Sequence, residues 1–406
     1  MNQFKLWHKP HDANENIGES NRKVSWLELF FDIFFVCAIA SVGHILVEDL
    51  TWEGLENFTI SLVSICLIWI GFTFYNEKFE TFGIENRIFT FLMMIPVAGL
   101  AIFTPHASHL DLLGVACSYA FARLILSVLF LRVGYYVDGF KKLGKIYSLG
   151  YFLSFLIIII TLFTLPQNVH FAIYSVILIF DFLFPILVTL IDRSTLETNK
   201  ALFSKKTNER FGLLCIIVIG ELIVAVVNGM QSLSHPSIMD YSKGLLGLSI
   251  GFGMWWIYFD SVARRGASLK PFKAYIWSYL HLPLVTTLVA LSAGILFAIE
   301  HTEHLPLKVK WLISFSAGIS ILLMGLLDFF SKKEEGSLRK YSFWSFSKMI
   351  SSSLLIIFGF LVSINILILL LLVLAVVFFN IFISLFMWFR YSKKQSLLHS
   401  HKIKEE

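Results

Sequence analysis

The 406 residues are 57% hydrophobic and 15% charged, with a mean hydropathy of +0.75 and a formal net charge of +5. So much apolar side chain excludes a soluble globular protein, because one folded core cannot hide it from water. A disulfide framework is excluded as well, since the four cysteines (Cys37, Cys66, Cys117 and Cys215) all fall within apolar runs.

Taken in chain order, twelve apolar runs predict membrane-spanning helices: 26–47, 58–75, 88–104, 112–131, 146–165, 169–191, 211–227, 244–262, 274–298, 310–327, 349–364 and 366–389. The last two form one nearly continuous stretch, divided at Ser363-Ile364-Asn365, the one polar cluster in it. The predicted fold class is all-α, a polytopic membrane protein of about twelve transmembrane helices. Residues 1–25 are polar and show no cleavable signal, so the first span serves as its own targeting signal. Of the 33 lysines and arginines, only Lys243, Lys308 and Lys310 fall on the outer side and only Arg123 lies within a span. This sorting places both termini in the cytoplasm of a bacterial cytoplasmic membrane, and accounts for the basic residues without a nucleic-acid partner.

A parallel tandem repeat of six plus six helices is expected. Leu67-Ile68-Trp69-Ile70-Gly71-Phe72 in span 2 parallels Met254-Trp255-Trp256-Ile257-Tyr258-Phe259 in span 8. Pro96 and Pro283 fall at equivalent places in spans 3 and 9, and each of spans 1 and 7 opens with an acid followed by phenylalanine two residues later. The expected organisation is a cytoplasmic segment 1–25, a first repeat 26–191, a cytoplasmic linker 192–210, a second repeat 211–389 and a basic cytoplasmic tail 390–406. Pro96, Pro185 and Pro283 each remove a helical hydrogen bond inside a span.

The intramembrane ionisable residues are the candidates for chemistry. Glu28 and Asp32 are four residues apart in the first span and so share a helix face. Acids in hydrocarbon cost about 2.5–3.5 kcal/mol each and need partners, protons or a wet cavity. Arg123 in span 4, Asp181 in span 6, Glu221 in span 7 and His281 in span 9 complete the set, with Glu209 and Arg210 opening span 7. Asp32, Asp181 and Glu221 are expected to form a polar core, with Arg123 as their counter-charge. Asp260 and Asp328 lie near inner helix ends and are expected to reach water. Gly212 and Gly220 are expected to let another helix approach span 7 closely.

Histidines gather on the outer side. His106 and His109 follow span 3, and His301 and His304 follow span 9; three-residue spacing can present two imidazoles to one transition metal. No Walker loop, dinucleotide fingerprint or nucleophile elbow is present, and no cofactor is expected.

The segments WLELFFDIFFVCAIA (26–40), ERFGLLCIIVIGE (209–221), WWIYFD (255–260) and HLPL (281–284) resemble the bacterial low-temperature-requirement protein A (LtrA) family. Asp181 with Pro185, and the mid-span Arg123, are similar to that family too, and the likeness covers about residues 22–300. The family pattern has a histidine three residues before the Glu-Arg pair, where Lys206 stands here. The resemblance implies a role in growth at low temperature. Glu28-x-Phe30-x-Asp32 also resembles the Phe-Ser-Asp signature of a six-span-repeat potassium channel family, with Phe31 in place of the serine.

The expected function is a proton- or cation-coupled transporter acting in the lipid bilayer on a small solute, proton or cation. The alternatives are a cation channel lined by spans 1 and 7 and a membrane-embedded enzyme acting on lipid.

Overall fold

The computed structural model describes residues 7–11, 24–81, 83–108, 111–191, 204–268, 270–301, 305–333, 338–360 and 365–405. Its elements are helices, and no strand occurs among the described residues. They run α1 (Trp26–Glu48), α2 (Trp52–Phe79), α3 (Ile84–Phe103), α4 (Leu113–Tyr136), α5 (Lys141–Thr164) and α6 (His170–Ile191). Then follow α7 (Lys205–Ser232), α8 (Ile238–Ile257), α9 (Pro271–Glu300), α10 (Leu307–Phe330), α11 (Leu338–Gly359) and α12 (Ile366–Glu405). Among the described residues eleven helices are long and apolar enough to cross a bilayer, and Phe343–Gly359 forms a shorter apolar helix. The chain is a multi-pass membrane protein.

Local chemistry sets the helix ends. The Ser25 hydroxyl accepts the Glu28 N–H, and the Glu28 carboxylate accepts the Ser25 N–H at 3.0 Å, a reciprocal cap that starts α1. Thr51 caps α2 by accepting the Gly54 N–H, and Ser237 with Asp240 caps α8 reciprocally. Asn365 Oδ1 accepts the Leu367 N–H at 3.0 Å just before α12, so the predicted break in the last apolar stretch falls where a helix start is capped. Pro96, Pro185 and Pro283 all lie inside continuous helices.

The chain divides into two compact units, Met1–Val218 with Leu269–Leu282, and Ile219–Ser268 with Pro283–Glu406. In the first unit α1 packs on α2 and α3, and α4 lies along α5. The α4–α5 seam is close enough that a Cβ on Gly144 would stand 2.5 Å from the Gly134 nitrogen. Glycine is required there because the backbones touch. Ser127 on α4 also donates to the Ser148 carbonyl on α5 at 2.8 Å.

In the second unit α10 packs on α11 and α12 on α8. Helix α8 ends in a π-helical turn, Tyr258–Ala263, in which Asp260 accepts the Ser384 hydroxyl of α12 at 2.8 Å. Asp328 does not reach water as expected: it is fully buried, salt-bridged to Arg265, and accepts from Ser345 at 3.0 Å and Lys348 at 3.2 Å. Basic partners on neighbouring elements, not solvent, compensate its charge. Gly220 is also unlike its expectation, since a Cβ there would meet nothing within 4 Å among the described residues.

Candidate functional site

Two polar constellations lie in the first unit. The first starts from the helix pitch. Glu28 and Asp32 share a face of α1, and Lys206 and Arg210, also four apart, share a face of α7. Arg210 donates from Nη1 to Glu28 at 3.2 Å and from Nη2 to Asp32 Oδ1 at 2.7 Å. Lys206 Nζ lies 2.9 Å from the other Glu28 oxygen and also pairs with Glu80 at the end of α2. Trp69 of α2 donates its indole N–H to Asp32 Oδ1 at 2.9 Å, and the Arg210 guanidinium lies 5.3 Å above the Trp69 ring. All of these ionised groups are buried. Asp32 Oδ2 and Arg210 Nε are sealed from solvent with no hydrogen-bond partner among the described residues.

The second constellation lies around a cavity between α2, α4, α5, α6 and the start of α9. Arg123 of α4 and Asp181 of α6 form its charged wall, with Arg123 Nε 3.0 Å from Asp181 Oδ2. Tyr119, one turn before Arg123, accepts from Arg123 Nη2 and donates to Asp181 Oδ2 at 2.7 Å. Ser154 of α5 donates to Asp181 Oδ1 at 2.6 Å. Both oxygens of Asp181 are thus taken, and the carboxylate is fixed. The guanidinium stacks over the rings of Tyr119 at 4.4 Å and Tyr151 at 5.3 Å. The cavity has an empty volume of about 640 Å³ out to its mouth, and centres of water-sized molecules can occupy about 40 Å³ of it. That is room for a few waters or one small solute.

Gly71 shapes this wall. A Cβ there would press on Leu126 Cδ1 at 3.1 Å and also come within 3.6 Å of the Tyr151 hydroxyl and 3.8 Å of Arg123 Nη1, so the missing side chain leaves space beside both polar groups.

The expected single polar core is not what forms within this unit. Asp32 has Arg210 as its counter-charge, whereas Arg123 serves Asp181. Glu209 stays outside the network, half-exposed and 3.9 Å from Lys205. His281 is buried with its ring 4.7 Å from Phe211 and 4.3 Å from Trp277, and its Nδ1 is 2.8 Å from the Trp277 carbonyl. Glu221, in the second unit, is half-buried; its backbone carbonyl accepts the Ser292 hydroxyl at 3.0 Å. His106 ends a short turn after α3, and His301 stacks on Phe297 at 3.9 Å. His109 and His304 lie outside the described residues, and no cluster of three metal-ligating side chains occurs among the described ones.

Lys206, Glu80 and Trp69 in the network, and Tyr119, Ser154, Tyr147, Tyr151 and Tyr279 at the cavity, were not among the site residues expected from the sequence. A signal existed for most: Lys206 is four before Arg210, Tyr119 four before Arg123, and Tyr147 four before Tyr151.

Chemically, the first constellation holds a titratable carboxylate in a sealed ion-pair network, and the second offers a fixed cation in a solute-sized cavity. An uncharacterized protein of Rhizobium meliloti (strain 1021) is 24% identical over 303 residues, covering 70% of this chain and 71% of its own. No solved structure matches the chain. The family model described as bacterial low temperature requirement A protein (LtrA) matches residues 23–387, a range that holds both constellations and all but the end of α12, and the chain belongs to that family.

Proposed function

We propose that the protein is a proton- or cation-coupled transporter of the bacterial cytoplasmic membrane that supports growth in the cold, with both termini in the cytoplasm. The observation that carries this reading is Asp32 Oδ2. It is a carboxylate oxygen sealed inside a membrane-spanning unit without a hydrogen-bond partner among the described residues, while its sister oxygen is held by Arg210 and Trp69. A buried, unpartnered carboxylate oxygen is a place for a proton or a monovalent cation, and leaving it bare is unfavourable. The closed network around it favours a gated carrier over an open channel, since Glu28 and Asp32 are only 2% and 3% exposed. The six-plus-six duplication, with spans 1 and 7 equivalent, is the scaffold this reading assumes.

Asp32→Asn tests the reading. Asparagine keeps an oxygen for Arg210 and Trp69 but removes the group that exchanges a proton. In proteoliposomes with a trapped pH dye, wild-type protein is expected to move protons under sodium, potassium or solute gradients. The variant is expected to express normally, lose that flux and fail to support growth in the cold. A well-expressed variant with full flux and full cold growth refutes the role of Asp32.

A further inference from the structure

The wall of the Arg123 cavity has acceptors that are occupied and donors that are not. Asp181 is its one carboxylate among the described residues, and both oxygens are engaged by Arg123, Tyr119 and Ser154. Arg123 uses Nε and Nη2 in these contacts, and Nη1 has no hydrogen bond to the described residues. Tyr147, Tyr151 and Tyr279 line the same cavity, and their hydroxyls make no hydrogen bond among the described residues, although the side chains are 8%, 4% and 6% exposed. Lys78 brings a second ammonium to the wall, 4.0 Å above the Phe140 ring. Tyr275 lines it too, and the rest of the lining is apolar, chiefly Phe74, Phe79, Phe130 and Phe140.

Polar groups in a buried wall without protein partners point to what they bind. A guanidinium nitrogen and three phenolic hydroxyls aimed at one space donate hydrogen bonds to an acceptor, and the guanidinium favours negative charge on it. A bare cation is disfavoured, since the only carboxylate is neutralised by Arg123. A few ångströms from the donors the surface is phenyl rings, which suit an apolar body. We propose that this cavity binds a small monocarboxylate, its carboxylate on Arg123 Nη1 and the tyrosine hydroxyls and its short apolar body against the phenylalanines. The assignment deepens the transporter reading by naming its cargo, and rests on that reading only for calling the bound molecule a cargo.

Calorimetric titration of the purified full-length chain in detergent tests it, with acetate, butyrate and benzoate as probes. Butylammonium, butanol and inorganic phosphate serve as charge-reversed, neutral and non-carboxylate controls. Butyrate or benzoate is expected to bind, and the controls are not. Tyr151→Phe and Tyr279→Phe remove hydroxyls that make no hydrogen bond among the described residues, so their melting temperatures should match wild type. Their butyrate affinity should fall about ten- to a hundredfold each, the usual loss for one hydrogen bond to a charged group. Gly71→Ala, which puts a methyl beside Tyr151 and Arg123 Nη1, should weaken binding as well. Absence of carboxylate binding, equal binding of butylammonium or phosphate, or unchanged affinity in both tyrosine variants overturns the proposal. Butyrate binding by a protein that moves no protons upholds this site and removes only the transport reading. Proton flux without carboxylate binding does the reverse.

Discussion

Glu28 does two jobs with one carboxylate. It closes the cap that starts α1, and it receives Arg210 and Lys206 from α7. The helix start and the tertiary contact are therefore chemically the same event. Lys206 matters most at this scale, because its ammonium holds Glu28 and Glu80 together with only 1% of its side chain exposed. Removing one member of a buried ion pair leaves the others uncompensated, a loss of about 3–5 kcal/mol. Lys206→Met is therefore expected to unfold at markedly lower denaturant or temperature, whereas Lys206→Arg, which keeps the charge, should retain most of the stability. Equal melting temperatures for Lys206→Met and wild type would show that the pair contributes nothing. In sequence terms Glu28 and Asp32 were legible because charge inside an apolar run is unfavourable and must have a cause, and Arg210 because it opens the face of span 7. Lys206 was not, because a lysine at a helix start reads equally well as a solvated topology signal. The cavity tyrosines were hidden for a different reason: an aromatic in an apolar helix looks like core filler until its hydroxyl is seen without a partner.

At the scale of elements, the helices were readable almost everywhere, since an apolar run of bilayer length has few alternatives. Even the division of the last stretch at Asn365 follows from one polar side chain that caps a helix. What the runs do not encode is which helices touch. The α4–α5 seam depends on Gly134 and Gly144, two small residues whose meaning appears only when the backbones meet. Gly144→Leu is expected to force these helices apart, lower the melting temperature and disrupt the adjoining cavity, which Gly144 and Arg123 both line. Gly139→Ala is the control, since a Cβ there meets nothing within 4 Å. Overpacking a tight core costs about 1–3 kcal/mol or more, so a Gly144→Leu protein as stable as the Gly139→Ala control would mean the seam is not close-packed. Asp328 carries the same lesson, since proximity to a helix end suggested water and its buried partners Arg265 and Lys348 come from other elements.

For the molecule as a whole, the sorting of basic residues predicts both ends of the chain on the cytoplasmic side. Cysteines introduced at Ser20 and Ser400 are expected to resist a membrane-impermeant thiol reagent in intact cells and to react after permeabilisation. Labelling of either in intact cells would reverse that topology. The ion-pair network also has a consequence in time. Asp32 and Arg210 are 178 residues apart, as Glu28 and Arg210 are 182. At roughly 5–20 residues per second, a ribosome needs about 10–40 s to make the chain between them. For that interval α1 exists with two acids in its apolar stretch and no basic partner from α7. Its final seat in the membrane is settled only when α7 is delivered, so α1 waits through the synthesis of five intervening helices before its acids are neutralised.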